Sequence, residues 1–267
     1  PLIPRLPRPR VPVRTSSFAI EPLQFDNGIG GLNAKGDYCM IIDADHVPPA
    51  PWVNVVANPH GGFLVSERGT GCTWAESAYF FRLSPWHNDP VVDPASDVLY
   101  LRDDDSGDLW TPTPAPIPSE TAFRVRHSPG QSTFEHEHDG IGTVLTLGMP
   151  DDAAVKVSVM RIANHSGRTR RLTMTAYVEW TLGVERDDTQ YQVRTQFVSD
   201  ERAILAQNHF DPTFRDWVAF LATSEPVTSY SADRLTFVGR NGTLAAPIAL
   251  GRDQLDNSAG VGLDPCG

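Results

Sequence analysis

Residues Glu135, His136, Glu137 and His138 form the densest group of side chains in this sequence that could carry chemistry. On a β-strand, alternate residues share a face, so the histidines would lie on one side and the glutamates on the other. A His-x-His pair can bind a metal ion, and a histidine with a carboxylate can act as acid and base on a sugar. The alternative is a hydrogen-bonded histidine pair in the core. Because no further ligand stands nearby in sequence, we favour the structural interpretation and predict no metal ion and no cofactor.

Tryptophans stand beside polar residues in two places, a combination that suits carbohydrate contact. Trp74 precedes Glu76, and Trp86 precedes Asn88 and Asp89. The apolar face of a sugar ring stacks on an indole while amides and carboxylates bind its hydroxyls. The same tryptophans would equally well fill a large β core, and the sequence does not decide between these interpretations. For two other tryptophans we favour the core, namely Trp180 and Trp217.

Nothing in the sequence forms a complete catalytic set. A carboxylate pair for glycoside hydrolysis cannot be identified among the 33 acidic residues from the sequence alone. No Gly-x-Ser-x-Gly nucleophile, phosphate loop, zinc spacing or dinucleotide fingerprint is present. The acidic run from Asp103 to Asp108 invites a calcium interpretation, but with Gly107 at the sixth loop position the first ligand would be Arg102. We therefore predict a solvated turn with Gly107 at positive φ.

Short apolar stretches separated by turn residues predict an all-β fold, a large antiparallel β-sandwich. One hairpin is predicted from residues 98–102 through the acidic turn to 109–111. A second is predicted to join the alternating residues 155–160 and 172–180. Further strands are predicted at 38–42, 52–57, 63–65, 204–206, 217–221 and 235–238. Helical turns are expected only within 244–250 and 211–218.

The net charge of the chain restricts the classes of partner that it can bind. The chain has 267 residues and a formal net charge of −11, which repels phosphate backbones and anionic lipids, so nucleic acid is not a predicted partner.

Residues 1–17 are rich in proline and arginine and are predicted to form an extended arm, followed by one domain over 18–267. The odd number of widely spaced cysteines favours a reducing compartment. The missing initiator methionine and the abrupt end suggest a piece of a longer protein, with the last strands of the sandwich absent.

A series of motifs follows in order along the chain. They are Phe25–Gly31, Pro49–Asn58, Thr73–Ser77, Ser84–Pro90, Leu99–Asp104, Leu109–Pro114, Ala176–Trp180, Phe237–Leu244 and Gly262–Cys266. Together they resemble the N-terminal domain of the inverting glycoside phosphorylases, such as cellobiose and chitobiose phosphorylase. The last two motifs favour the cyclic β-1,2-glucan synthase branch of that family.

This resemblance implies a galactose mutarotase-like β super-sandwich in an enzyme whose catalytic aspartate lies in a separate α-barrel. No catalytic residue is therefore assigned to this chain. The resemblance implies a carbohydrate-binding and scaffolding domain that lines the sugar site of the barrel. The candidate substrate-binding residues in the matching motifs are Trp74, Glu76, Trp86, Asn88, Asp89, Arg102 and Asp103. For Arg102, a structural pair with Asp103 or Asp89 is slightly favoured over ligand contact.

The partners implied by the resemblance are a β-glucan or oligosaccharide, the catalytic barrel of the same polypeptide, and a second copy of the chain. The resemblance also implies a cytoplasmic location, in a parent protein of the inner membrane. Two other functions stay open. One is a stand-alone aldose-epimerase-like enzyme, with His136 or His138 as general acid and Glu179 as general base. The other is an assembly module that binds no sugar and exposes a large apolar patch.

Overall fold

The computed structural model describes Phe18 and residues 22–267. Strands dominate this part of the chain, so the predicted all-β class is confirmed. The predicted arm at residues 1–17 lies outside the described residues.

The regular elements are short and are separated by turns. The strands are β1 (Gly30–Leu32), β2 (Tyr38–Ile42), β3 (Val53–Asn58), β4 (Gly61–Ser66), β5 (Gly71–Ala75), β6 (Asp97–Asp103), β7 (Leu109–Trp110), β8 (Phe123–Ser128), β9 (Gln131–His138), β10 (Ile141–Gly148), β11 (Val157–Asn164), β12 (Leu172–Val178), β13 (Val193–Val198), β14 (Ala203–Asn208) and β15 (Ala219–Ala222). The helices are α1 (Arg186–Thr189), α2 (Arg234–Val238) and a 3₁₀ helix at Ile248–Gly251.

The largest sheet has six strands in the order β1-β2-β8-β9-β10-β11, all of them antiparallel. In β10 every second residue is buried, from Ile141 to Leu147. This period of two places one face of the sheet on a core. Phe63 and Val65 belong to the same core cluster as Phe134 and Leu145, so the three-stranded sheet β3-β4-β5 packs on the large sheet.

Two further three-stranded sheets, β12-β6-β7 and β13-β14-β15, complete the architecture. Tyr100 of β6 and Tyr177 of β12 are buried with Phe237 of α2 and Leu250 of the 3₁₀ helix. The ring centroids of Tyr177 and Phe237 lie 5.1 Å apart, and the rings are stacked. The segment after residue 229 therefore covers the β12-β6-β7 sheet.

The first predicted hairpin is confirmed. β6 pairs with β7, with Leu101 opposite Trp110. In the connecting turn, Asp103 Oδ1 accepts hydrogen bonds from the backbone N–H groups of Asp105 and Ser106, at 2.8 and 3.1 Å. Gly107 has a φ of 75°, as predicted for a solvated turn.

The second predicted hairpin is wrong. β11 pairs with β10, whereas β12 pairs with β6 in a different sheet, where Leu172 lies opposite Asp103 and Val178 lies opposite Asp97. Alternating side chains identify a strand but not its partner, because the pattern records only which residues share a face. β11 is instead the edge strand of the large sheet, and nearly all of its residues are exposed.

The predicted strand at 235–238 is also wrong, because these residues lie in α2. The Asp233 carboxylate accepts a hydrogen bond from the backbone N–H of Leu235 at 3.3 Å and so caps the first turn of the helix. A short apolar run does not distinguish a strand from a buried helix. Residues 211–218 form turns rather than a helix, α1 was not predicted, and the 3₁₀ helix begins within the predicted segment 244–250.

Candidate functional site

Trp74 and Glu76 lie at the end of β5. The Trp74 ring packs over Gly62 of β4, where an added Cβ atom would lie only 2.3 Å from Trp74 Cζ2, so this packing depends on a glycine. Trp74 is half-buried. Glu76 is exposed and has a φ of 56°, and its backbone N–H donates to the carbonyl of His60 at 2.7 Å. Within two residues, the end of β5 thus carries an indole held by packing and a residue with a solvent-exposed carboxylate.

Trp86, Asn88 and Asp89 lie on the loop that follows Ser84. Because Ser84 Oγ accepts a hydrogen bond from the backbone N–H of Thr73 at 3.0 Å, this loop starts beside β5. Trp86 is half-buried, while Asn88 and Asp89 are exposed. Asn88 has a φ of 47°, an unfavourable value for a residue with a side chain. Most of the predicted site residues thus belong to one region, residues 73–89, which we call the β5 loop region.

Asp89 organises this loop. Its Oδ1 atom accepts hydrogen bonds from the backbone N–H groups of Val91 and Val92, at 2.9 and 3.2 Å. These two donors stabilise the ionised form and hold the pKa of Asp89 below its usual value. The carboxylate is charged at neutral pH, and no residue in the described part of the chain is hydrogen-bonded to its Oδ2 atom.

Arg102 and Asp103 form a separate group at the end of β6. The Arg102 guanidinium pairs with Asp104 and donates to the carbonyls of Leu250 and Arg252, at 2.9 and 2.6 Å. Asp103 is fully buried and pairs with Arg170 at 2.5 Å. The predicted ion pair of Arg102 with Asp103 or Asp89 is therefore wrong, because Arg102 pairs with Asp104 instead.

Two opposing effects act on the ionisation of Asp103. Burial raises the pKa of its carboxyl. The two turn N–H groups and the Arg170 guanidinium lower that pKa by more, so the net shift is downward. Arg102 and Asp103 thus have complete sets of protein partners, and Asp103 is inaccessible to sugar.

The histidines of β9 lie on one face of the strand, as predicted. His136 is buried, its Nε2 lies 2.8 Å from Thr121 Oγ1, and its ring stacks on Phe123 with centroids 3.9 Å apart. Burial, with a smaller contribution from neighbouring His138, lowers the pKa of His136 to about 3. His138 Nε2 lies 2.6 Å from Asp108 Oδ2. The described residues contain no group of three or more His, Cys, Asp or Glu side chains that could hold a metal ion.

Glu179, the predicted epimerase base, lies in a network of charged groups that we call the Glu179 network. Its Oε1 atom lies 2.6 Å from Arg186 Nε, and its Oε2 atom lies 3.1 Å from Arg234 Nε. Asp264 closes the network, because it pairs with Arg186 and lies 3.6 Å from Arg234. Within the described part of the chain, no hydrogen bond or ion pair joins Glu179 to His136 or His138. Glu179 and His136 are both buried and are engaged by other groups of the protein, so the structure does not present them as an open acid–base pair.

Sequence reasoning missed the Glu179 network because its four members come from four separate segments: the residue after β12, α1, α2 and the residues before Cys266. No spacing in the sequence signals such a network. Trp180, next to Glu179, is buried as predicted. The prediction for Trp217 is wrong, since it is 42% exposed beside Phe214 and Phe81.

A cavity of about 420 Å³ lies between β12 and the β13-β14-β15 sheet. Its wall includes Thr173 and Ala176 of β12, Phe197 of β13, and Tyr230, whose ring stacks on that of Phe197 with centroids 4.0 Å apart. Of the predicted site residues, Arg102 is the one that lines this cavity. No pattern in the sequence indicates this cavity, because its walls come from distant parts of the chain.

Comparison with known proteins identifies the family of this domain. Residues 36–267 match the sequence profile described as Glycosyl hydrolase 94, supersandwich domain. The chain belongs to this family. The resemblance to glycoside phosphorylases and the predicted supersandwich are both confirmed.

Relatives of this supersandwich domain include enzymes of two kinds. The cyclic beta-(1,2)-glucan synthase of Rhizobium meliloti is 31% identical over 247 residues, which cover 91% of this chain and 9% of that protein. An N,N'-diacetylchitobiose phosphorylase of Vibrio furnissii is 26% identical, over 82% of this chain and 28% of the phosphorylase. The solabiose phosphorylase of Paenibacillus borealis is 23% identical, over 79% of this chain and 28% of that enzyme. The supersandwich chain thus spans less than a third of the length of each of these relatives.

No helix in the described part of the supersandwich chain is both long and apolar enough to cross a membrane.

Proposed function

We propose that this chain is a non-catalytic carbohydrate-binding and scaffolding domain of a cyclic β-1,2-glucan synthase or a glycoside phosphorylase. In this proposal it lines the sugar site of a separate catalytic α-barrel. The observation that carries the sugar-binding part is the composition of the β5 loop region, which contains half-buried Trp74 and Trp86 and exposed Glu76, Asn88 and Asp89. The relatives, a glucan synthase and two phosphorylases of disaccharides, support the choice of ligand class.

The β5 loop region has the physical properties that weak sugar recognition needs. An indole held by packing presents its face to a sugar ring without losing much conformational freedom on binding. Glu76 sits at positive φ, a costly backbone conformation for a glutamate, and such positions cluster at ligand sites. The Oδ2 atom of exposed Asp89 can accept a hydrogen bond from a sugar hydroxyl.

The remaining assignments are parts of the same proposal. The barrel of the same polypeptide is the proposed protein partner, and a second copy of the chain is a proposed dimer partner. The domain is proposed to act on the cytoplasmic side of the inner membrane, in agreement with the family resemblance. The candidate contacts Arg102 and Asp103 are left out of the proposed sugar site, because their side chains are occupied by other groups of the protein.

Titration with sophorose and with longer β-1,2-glucans tests the sugar-binding part. We expect chemical-shift changes in the β5 loop region at millimolar ligand. Trp86→Ala should weaken binding by about tenfold or more, the effect of losing one stacking contact. The control is Tyr191→Ala, which removes an aromatic side chain that is 80% exposed and lies outside residues 73–89, and it should leave the affinity unchanged.

Two results would contradict sugar binding by the β5 loop region. One is the absence of any shift change at millimolar ligand, which would leave only the scaffolding role. The other is equal weakening by Trp86→Ala and Tyr191→Ala, which would place the bound sugar elsewhere or indicate a general loss of structure.

A pure assembly module is the second candidate, and exposed apolar side chains favour it. Val157 and Val159 share one face of the edge strand β11 and are 42% and 48% exposed. Tyr79 and Phe80 are also exposed and contact each other, with ring centroids 5.0 Å apart. Apolar groups in such positions mark surfaces that pack on another protein segment. Under this alternative the sugar titration gives no response, while Val157→Lys disrupts the contact with the barrel.

A further inference from the structure

The six-stranded sheet has one face on the core and one face that points away from it. Met40 of β2 and Val125 of β8 are buried in the core. Because successive side chains of a strand point to opposite faces, their neighbours Cys39 and Arg124 project from the other side. We call this second side the outer face of the large sheet.

The chain that leads into β1 lies on the outer face. Gly31 is paired with Cys39, so a Cβ atom on Gly31 would project from the outer face, where it would lie 2.7 Å from the carbonyl oxygen of Gln24. Phe18, the first described residue, lies farther across the sheet, with its ring centroid 5.1 Å from Cζ of Arg124. Going backward along the chain from Gln24 to Phe18 therefore leads from the edge at β1 to β8.

Apolar side chains lie farther across the outer face in the same direction. Val144 of β10 is half-buried and pairs with Glu135 of β9, which in turn contacts Arg124. The pairing of β11 with β10 places Val157 and Val159 on the outer face as well, where they are 42% and 48% exposed. We call Val144, Val157 and Val159 the outer apolar patch. The sheet order puts this patch two and three strands beyond β8.

We propose that residues 11–17, which lie outside the described residues, dock on the outer apolar patch of their own chain. Their sequence is Val-Pro-Val-Arg-Thr-Ser-Ser, and they lead directly into Phe18. An extended segment of this length spans about 23 Å, whereas the three strand spacings from β8 to β11 amount to about 14 Å. The segment is therefore long enough to reach the patch from the observed position of Phe18.

The composition of residues 11–17 suits a sheet face better than a sheet edge. Pro12 has no N–H group, so it cannot donate to a strand ladder. In an extended chain Val11 and Val13 lie on the same side, because residues two apart share a face. Both valines can then pack on Val157 and Val159, and this contact removes apolar surface of both partners from water.

Charge also favours an occupant from this part of the chain. Residues 1–17 carry four arginines and no acidic residue, whereas the whole chain has a net charge of −11. Glu137 of β9 lies on the outer face, and its side chain is 53% exposed. Arg14 stands four residues before Phe18, so in the proposed path it lies beside Glu137. Arg161, the cation of β11 on this face, is two strands away from Glu137.

Limited trypsin digestion of the full chain, followed by mass spectrometry, compares two bonds before Phe18. The Arg14–Thr15 bond lies inside the docked segment, and the Arg5–Leu6 bond lies outside it. Val159→Gln removes an apolar contact of the patch. It should raise the rate of cleavage after Arg14, relative to cleavage after Arg5, by about threefold or more. The matched control is Ile162→Gln on the opposite face of β11, where Ile162 is 45% exposed, and it should leave this ratio unchanged.

Three results would overturn the proposal. An unchanged ratio in Val159→Gln would show that residues 11–17 do not cover the outer apolar patch. An equal rise in Val159→Gln and Ile162→Gln would trace the effect to a weakened β11 instead of a lost docking contact. A ratio that falls as the concentration of the natural chain rises would make a second copy the occupant. No sugar takes part in these measurements, so the proposed carbohydrate site is tested separately.

Discussion

Replacing Glu179 by glutamine should lower the free energy of unfolding by about 3 kcal/mol at neutral pH, at the lower end of the range for breaking a buried ion pair. Glutamine keeps the size of the side chain but removes the charge that lies between Arg186 and Arg234. The side chains of Glu179 and Arg186 are each 10% exposed, so water replaces little of the lost interaction. Because Asp264 still pairs with Arg186 in the variant, we place the loss at the lower end.

The position of the Glu179 network explains why its loss should destabilise the whole fold rather than one loop. Glu179 follows β12, Arg186 and Arg234 lie in α1 and α2, and Asp264 precedes the segment that pairs with Val178. Weakening the network loosens the attachment of the C-terminal segment to the β12-β6-β7 sheet. The buried contacts of Tyr177 with Phe237 depend on the same attachment.

Urea unfolding followed by tryptophan fluorescence measures this effect. The matched control is Glu185→Gln, which removes a carboxylate that is 61% exposed and lies 3.3 Å from Arg82, and which should change stability by less than about 1 kcal/mol. Polarimetry on freshly dissolved α-glucose separates a structural role from a catalytic one. Unchanged stability of Glu179→Gln together with a loss of mutarotation would show that Glu179 is a general base and would contradict our prediction.

The sequence predicted local features of the fold well and the pairing of distant segments poorly. The β6-β7 hairpin was predictable because strand, acidic turn and strand are contiguous, and Gly107 marks the turn. The partner of β12 was not, since β6 lies far away in sequence and the alternation of β12 suits any antiparallel partner. The helix α2 depends on the cap at Asp233, which a search for apolar runs does not consider.

The same distinction between local features and contacts of distant segments applies to the candidate site. Trp74 to Asp89 lie close together in sequence, so their motifs indicated a common region, and Ser84 ties the later loop to β5. Arg102 and Asp103 were grouped with them by resemblance alone. Their true partners, among them Arg170 and the carbonyls near residue 250, approach only in the folded chain. The Glu179 network and the cavity beside β12 are similarly products of tertiary packing.

The free energy of unfolding should fall as the pH drops below about 6.5, because buried His136 and half-buried His127 resist protonation. Burial lowers the pKa of His136 to about 3 and that of His127 to about 4, against an ordinary value of 6.5. Between these values the unfolded chain binds protons that the folded chain does not. The contribution of these two histidines to the free energy of unfolding is therefore fully present above pH 6.5. It is lost as the pH falls toward their pKa values in the folded protein. The slope approaches about 1.4 kcal/mol per pH unit for each histidine.

The surroundings of His136 give a structural reason for this resistance. A charged imidazole must donate from both nitrogens. Nε2 has hydroxyl oxygens of Thr121 and Ser119 within reach, but Nδ1 is buried and has no hydrogen-bond partner among the described residues. Protonation would therefore bury a charge and an unsatisfied N–H in contact with the Phe123 ring.

Urea unfolding between pH 7 and pH 5 measures the slope above the range where most carboxylates titrate. His136→Gln should be less stable than the natural chain at pH 7, because it loses the stacking on Phe123, but the difference should shrink as the pH falls. The control is His209→Gln at an exposed position, which should run parallel to the natural chain. A constant difference between His136→Gln and the natural chain across this range would show that His136 accepts a proton in the folded state. The acid sensitivity would then come from other groups.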